Sequence, residues 1–76
     1  MSNHVKLSVR VNIREGATAR LRTGELCSLI EDCQDEVWKA VMLNDDFTWK
    51  RKGVKSEPMY RFIEARQIQE ILRSAD

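Results

Sequence analysis

The chain has 76 residues, a third of them charged, and a formal net charge of only +1. This length suits one domain, which buries about 60% of the surface that its unfolded chain exposes and therefore has a small stability margin. A charge so close to zero argues against a strong, non-specific polyanion binder, although it permits a local basic patch or self-association. No segment reaches the roughly 20 apolar residues of a membrane span, so we expect no membrane association.

Cysteine usage and the first residues indicate a reducing compartment. Cys27 and Cys33 are too few for a disulfide framework. The polar start, Met-Ser-Asn-His, does not resemble a signal peptide. We therefore expect a cytoplasmic protein with free thiols.

The clearest secondary-structure pattern covers residues 5–13. Five apolar residues alternate there with polar ones: Val5, Leu7, Val9, Val11 and Ile13. Because successive side chains of a strand face opposite sides, this period of two predicts a half-buried strand. Residues 17–21 alternate in the same way and predict a second, short strand. A turn follows at Thr23-Gly24, since glycine adopts positive φ without a steric cost.

Residues 24–43 allow two interpretations, and the fold depends on the choice between them. Their apolar residues fit helical spacing, which would give one helix and an α+β fold. The alternative is two strands, residues 26–30 and 37–43, joined by a turn over residues 31–36. We favour the strands because both apolar runs are short and the six residues between them are almost all polar.

The remaining elements are predicted from residue 44 onwards. They are a turn at residues 44–46, a short strand at 47–51, a loop at 51–59 that contains Gly53 and Pro58, and a last strand at 59–63. A short C-terminal helix is predicted over residues 65–72, because Ala65, Ile68, Ile71 and Leu72 share one face at helical spacing.

Four of these segments, residues 16–21, 23–32, 36–41 and 60–71, together resemble the SH3-like small β-barrels, in particular the bacterial and phage versions. The resemblance covers residues 14–72 and leaves the first predicted strand as an N-terminal addition. It implies a mainly β fold: a small barrel, or a strongly bent antiparallel sheet of about five strands, with a short C-terminal helix. Such barrels bind RNA, DNA, peptides or proteins, so the fold does not select a function.

The residue inventory offers no constellation for catalysis or metal binding. A zinc site needs four ligands, whereas the chain has two widely spaced cysteines and one histidine, His4. Adjacent carboxylates such as Asp45 and Asp46 lie in polar turns, where nothing would raise a pKa for acid–base work. The three glycines form no phosphate-binding motif. We expect no enzyme, no cofactor and no metal, and we identify no small-molecule substrate.

One basic segment is a candidate nucleic-acid site. Cations bind phosphates, and an aromatic ring stacks on a base with about 1–3 kcal/mol. The candidate residues are Lys50, Arg51, Lys52 and Lys55 with Trp49, supported by Arg20, Arg22 and Arg61 from neighbouring strands. The alternative is a solvated hairpin whose lysines keep a sheet edge soluble, with Trp49 in the core.

Three functions follow in order of preference. The first is a non-catalytic protein-interaction module, an adaptor or regulator able to form a homodimer. This hypothesis is suggested by the thin core and the near-zero net charge. Large apolar side chains are also available to contact a partner; they include the two tryptophans, Phe47, Met42 and Met59. The second is a nucleic-acid-binding barrel that uses residues 50–55. The third is an enzyme whose active site forms at the symmetry axis of an oligomer.

Overall fold

The computed structural model describes residues 13–73. Within this range the chain forms β1 (Thr18–Leu21), β2 (Leu26–Asp32), β3 (Val37–Leu43), β4 (Arg51–Lys52), β5 (Glu57–Pro58), β6 (Tyr60–Glu64), a 3-10 turn (Ala65–Gln67) and β7 (Ile68–Arg73). Five strands make one antiparallel sheet in the order β6-β3-β2-β1-β7, and β4 pairs with β5 as a small separate hairpin. The prediction of a mainly β fold is confirmed.

The middle of the chain consists of two strands, so the helix considered over residues 24–43 is wrong. Strands β2 and β3 pair from Leu26 opposite Leu43 to Asp32 opposite Trp38. The turn between them begins where the Asp32 carboxylate accepts the N–H of Gln34 at 2.9 Å. The three residues Gln34, Asp35 and Glu36 then have φ of 72°, 55° and 62°. Left-handed backbone of this kind ends any right-handed helix and reverses the chain.

The predicted C-terminal helix is also wrong. Only Ala65–Gln67 is helical, and Ile68–Arg73 is a strand that pairs with β1. Ile68 lies opposite Leu21 and Ile71 opposite Ala19, with one irregularity in the ladder between these positions. A β-bulge inserts an extra residue and so breaks the strand period of two. The two isoleucines are therefore three residues apart, although both serve the core, and this spacing imitates a helical face.

Three further predictions change in detail. The strand predicted over residues 47–51 is largely a turn, with Phe47 at a φ of 69° and Trp49 in an isolated bridge to Leu43. The loop predicted over residues 51–59 contains the β4–β5 hairpin. The strand predicted over residues 59–63 is β6, and it is followed by β7. Of the strand predicted over residues 5–13, only Ile13 lies within the described residues; it packs against the core.

The core lies on the concave face of the sheet. Its fully buried side chains include Leu29 from β2 and Ile63 from β6. Trp38, Ala40 and Met42 of β3 belong to this core, whereas Val41 and Leu43 belong to a second buried cluster. Because alternate residues of a strand face opposite sides, β3 is buried on both faces.

A strong bend brings β6 back towards the turn between β1 and β2. In a flat sheet β6 and β7 would be about 19 Å apart, because four strand spacings separate these two edges. Only the 3-10 turn Ala65–Gln67 joins them, and such a turn rises about 2 Å per residue. The sheet is therefore bent, and the Arg61 guanidinium of β6 lies 2.9 Å from the Glu25 carboxylate in the turn between β1 and β2. No ladder joins β6 to β7 within residues 13–73, so the predicted barrel is not closed. The fold is the bent five-stranded sheet.

Candidate binding surface

Four of the five aromatic side chains are exposed to solvent. Trp38 is buried, whereas Phe47, Trp49, Tyr60 and Phe62 have exposed fractions of 39%, 42%, 49% and 67%. Aromatic side chains bury more apolar area than most others, so a domain with a thin core would be expected to place them inside. Exposed apolar area of this kind is typical of interaction surfaces.

Three of these rings form a row on the convex face of the sheet. Phe62 pairs with Lys39, Tyr60 pairs with Val41, and Trp49 bridges to Leu43. Paired residues of antiparallel strands point to the same face, and alternate positions along a strand are about 7 Å apart. Phe62, Tyr60 and Trp49 are called the aromatic row below.

The aromatic row borders a buried apolar base. Leu26, Val41 and Leu43 form this second cluster, with exposed fractions of 8%, 0% and 5%, and Ile30 and Leu72 pack against it. Tyr60 and Trp49 lie beside two of its members, since their ladder partners are Val41 and Leu43. The row is therefore held on a packed surface and not on a mobile loop.

A cation lies over each of three exposed rings. The Lys39 ammonium is 4.6 Å from the ring centroid of Tyr60, the Arg51 guanidinium 6.0 Å from Trp49 and the Arg73 guanidinium 5.3 Å from Phe47. Such contacts contribute about 0.5–1 kcal/mol each at exposed sites. They give this apolar face a charged border.

Phe47 is held at its position by the turn that follows β3. The Phe47 N–H donates to the carbonyl of Asn44 at 2.9 Å. The Asp46 carboxylate accepts hydrogen bonds from the hydroxyl and the N–H of Thr48, at 2.6 Å and 3.1 Å. These bonds stabilise the ionised carboxylate and lower the pKa of Asp46. The turn is therefore fixed by its own side chains.

The structure brings together five of the predicted nucleic-acid-binding residues. Lys50, Arg51, Lys52 and Lys55, here called the basic loop, lie on or beside the β4–β5 hairpin with Trp49 next to them. The Arg51 guanidinium also donates to the carbonyl of Ser56, and Lys52 lies opposite Glu57. The alternative that places Trp49 in the core is wrong, because 42% of this residue is exposed.

The three arginines predicted to support the basic loop have other partners. Arg20 forms an ion pair with Glu70 at 3.3 Å, and Arg22 donates to the carbonyl of Arg66 at 2.8 Å. Arg61 is paired with Glu25. These contacts join β1, β6 and the segment around β7, and they do not extend the basic loop.

The ion pair between Arg61 and Glu25 bridges the open side of the bent sheet. Its two hydrogen bonds measure 2.9 Å and 3.2 Å, so the guanidinium binds both carboxylate oxygens. The hydrogen bond from Arg61, and then that from Thr23, lowers the pKa of Glu25. A cavity of about 110 Å³ lies beside the pair, with Leu21 and Ile63 in its lining. This volume is below the roughly 300–1,000 Å³ of typical small-molecule sites.

The two cysteines lie in different surroundings. Cys27 is fully buried in the core, and this burial raises the pKa of its thiol to about 11. Cys33 is half-buried at the end of β2, with its sulfur 3.8 Å from the carbonyl oxygen of Glu31. No group of three or more His, Cys, Asp or Glu side chains in the described part of the chain is placed to bind a metal ion.

Comparison with known proteins gives no match to this chain among family models, curated proteins or solved structures. Within residues 13–73, no helix has the length and apolar character that crossing a membrane requires.

Tyr60 and Phe62 of the aromatic row were not predicted as site residues, although their signal is present in the sequence. The run Tyr60-Arg61-Phe62-Ile63 alternates, but the pattern does not say which pair faces the core. Only the pairing of Arg61 with Glu25 explains why an arginine shares the concave face with buried Ile63. The two aromatic side chains are thereby left on the outside.

The Arg61–Glu25 pair predicts a pH dependence of stability. Because the pKa of Glu25 is lowered on folding, the pair stabilises the fold at neutral pH and this contribution is lost as the pH falls through the lowered pKa. Both side chains are partly exposed, so E25Q should lower the free energy of unfolding by about 0.5–1 kcal/mol near neutral pH. Urea unfolding should show no difference from the unmodified chain in strong acid.

A control for this measurement is R66Q, which removes the exposed ion pair between Arg66 and Glu64. Its effect should be smaller, because the Arg66 side chain is 80% exposed. An equal loss for E25Q at neutral and acid pH would show that the charge of Glu25 is not the cause.

The cysteines predict unequal thiol reactivity. A disulfide-exchange reagent near neutral pH should react with Cys33 in the folded protein and with Cys27 only on unfolding, because the thiolate is the reactive form and burial suppresses it. The number of reactive thiols per chain is measured from the absorbance of the chromophore that the reagent releases, with and without denaturant. Rapid modification of both thiols in the folded protein would contradict the buried position of Cys27.

Proposed function

We propose that this protein is a non-catalytic binding module, an adaptor or regulator, that holds a protein partner on its convex face through the aromatic row. The observation that carries the proposal is the row itself: three neighbouring aromatic side chains, each at least 42% exposed, beside a buried apolar base. Rigid aromatic side chains supply large contact area at low entropic cost, and they dominate the binding energy of many interfaces.

The charges around the row favour a protein over a polyanion. The net charge of the chain is +1. Lys39 and Arg51 lie over rings of the row, which gives the mixed apolar and cationic border common at protein interfaces. Acidic side chains also border the face: Glu64 lies on β6 next to Phe62, and Asp45 and Asp46 lie in the turn before Trp49. A phosphate backbone would be repelled by these carboxylates.

The proposed SH3-like relationship agrees with this function. The bent antiparallel sheet of five strands supports it, while the open side between β6 and β7 departs from a closed barrel. Members of such a fold bind proteins and nucleic acids alike, so the relationship supports a binding role without selecting the ligand.

Replacing the exposed rings tests the proposed surface. The double variant Y60S/F62S should fold normally, because both side chains point away from the core, and it should lose at least about 90% of specifically captured protein in affinity purification from cell extract with nuclease. The measurement is quantitative mass spectrometry of the captured proteins. The matched control is V54S, which removes another fully exposed apolar side chain, from the β4–β5 hairpin.

Two outcomes would contradict the proposed surface. One is capture of the same proteins by Y60S/F62S and by the unmodified chain. The other is an equal loss with V54S, which would indicate non-specific adhesion to exposed apolar groups. Circular dichroism of each variant shows that the fold is retained.

Nucleic-acid binding is a second candidate because Trp49 is exposed beside the basic loop. Its ring has Arg51 over one face, and the four cations of the basic loop lie within seven residues of it along the chain. A positively charged loop with an aromatic side chain is the combination used by proteins that bind single-stranded nucleic acid.

Charge reversal distinguishes this candidate from protein binding. If the basic loop binds single strands, fluorescence anisotropy with a labelled poly-dT oligonucleotide should show binding that weakens steeply with salt, and K50E/K52E should reduce the affinity at least about tenfold. Variants of Phe62 should have little effect. Unchanged binding by K50E/K52E, or no binding at low salt, would reject the basic loop as a nucleic-acid site.

A further inference from the structure

Strand β6 is an edge strand whose outward backbone groups belong to the exposed aromatic residues. Its inward side pairs with β3: the N–H of Met42 donates to the carbonyl of Met59, and the N–H of Ala65 donates to that of Glu36. Backbone groups of an antiparallel strand point alternately to either side. Since residues 59 and 65 face inward, the N–H and C=O groups of Tyr60, Phe62 and Glu64 face outward. Within residues 13–73, no strand pairs with this outer side.

Neither end of this edge offers a backbone donor to a further strand. Pro58, the next outward position before Tyr60, has no N–H to donate. At the other end, the N–H of Glu64 already donates to the side-chain oxygen of Gln67 at 2.7 Å. The open stretch of edge therefore consists of Tyr60 and Phe62, the two most exposed aromatic side chains. Each presents one donor and one acceptor.

We propose that the protein partner of this face is a second copy of the chain, paired antiparallel along β6 with the twofold axis at Arg61. This inference rests on the proposed function and names its partner. In this register Tyr60 lies opposite Phe62 of the partner subunit. Each such pair exchanges two hydrogen bonds, and symmetry gives four in all. The outward N–H and C=O groups of Tyr60 and Phe62 are then all bonded.

The two ends of the edge are matched in the same register. Pro58 falls opposite Glu64 of the partner subunit, so a position without a donor faces one whose donor is already bonded. Moving the axis by one residue, to Phe62, would place Tyr60 opposite Glu64 of the partner subunit, so the carbonyl of Tyr60, inside the open stretch, would have no donor. With the axis at Arg61, only the carbonyls at the two ends have no donor from the other copy. The edge is therefore self-complementary about Arg61.

Side chains support this pairing on both faces. On the convex face, Tyr60 packs against Phe62 of the partner subunit, and cross-strand aromatic pairs stabilise sheets. On the concave face, Arg61 faces Arg61 of the partner subunit, an arrangement that would repel if the charges were free. Each guanidinium is already bound by both oxygens of Glu25, so the charge at the axis is neutralised within each chain.

Proline at an outward position tests the pairing without disturbing the monomer. F62P removes an N–H that makes no bond to β3, so the fold should persist, while two of the four hydrogen bonds between copies are lost. Sedimentation equilibrium of the full chain, from micromolar to near-millimolar concentration, should show a dimer that F62P weakens at least about tenfold.

V54S should dimerise like the unmodified chain. F62K, which retains the backbone donor but puts a charge on the edge, should also weaken the dimer and replaces F62P if that variant unfolds.

Cross-linking tests the register. In a C33S background, R61C should form an interchain disulfide under mild oxidation, because residues on the twofold axis of an antiparallel pair lie within disulfide range of each other. F62C should cross-link much less, since its opposite residue is Tyr60 of the partner subunit. Efficient cross-linking by F62C in preference to R61C would overturn the register.

The outcomes separate this inference from the proposed function. A monomer at all concentrations, or a dimer unaffected by both F62P and F62K, would overturn the pairing along β6. If the chain is monomeric while Y60S/F62S still loses a captured protein, the face binds a different polypeptide and the proposed function stands without the dimer. If the dimer forms as described but no other protein depends on the aromatic row, self-association is the role of this face.

Discussion

The fold depends on the bend that returns β6 to the start of β2. Two contacts hold this bend: Ile63 packs in the same core as Leu21, and Arg61 binds both carboxylate oxygens of Glu25. The two edge strands β6 and β7 would be about 19 Å apart in a flat sheet, whereas only the three residues Ala65–Gln67 join them. The bend encloses a core with only five short strands, which a flat sheet of this size could not do. It also makes the opposite face convex, and the aromatic row lies there.

Strand β3 links the core to the proposed binding surface. Its residues alternate between the two buried clusters, with Ala40 and Met42 on one side and Val41 and Leu43 on the other. The exposed rings are the cross-strand partners of the second set. A partner that covers these rings would therefore extend a face already packed by Val41 and Leu43, and little new ordering of the chain would be needed on binding.

Residue patterns predicted four strands of the sheet and missed β7 and the β4–β5 hairpin. The strands over residues 17–21, 26–30, 37–43 and 59–63 were identified because short alternating runs there are separated by polar turns or loops. Strand β7 was missed because a bulge places Ile68 and Ile71 three residues apart, a spacing that a helix shares. Trp49 was assigned to the core in one interpretation because its alternation with Phe47 does not say which face is inside. Tyr60 and Phe62 of the aromatic row were missed for the same reason: a sequence gives the period of a strand, whereas the bend of the sheet decides which side is covered.

The two faces of β6 differ in what they contribute: side chains on one face support the fold, and side chains on the other face are exposed to solvent. Ile63 and Arg61 maintain the curvature, while Tyr60 and Phe62 make no contribution to the core cluster. Substitutions at the latter two positions would therefore change the proposed binding surface at little cost in stability. Changes at Val41 or Leu43, only one strand away, would alter that surface and the folding of the chain together. On β6, the freedom to vary the proposed surface thus belongs to two side chains of a single five-residue strand.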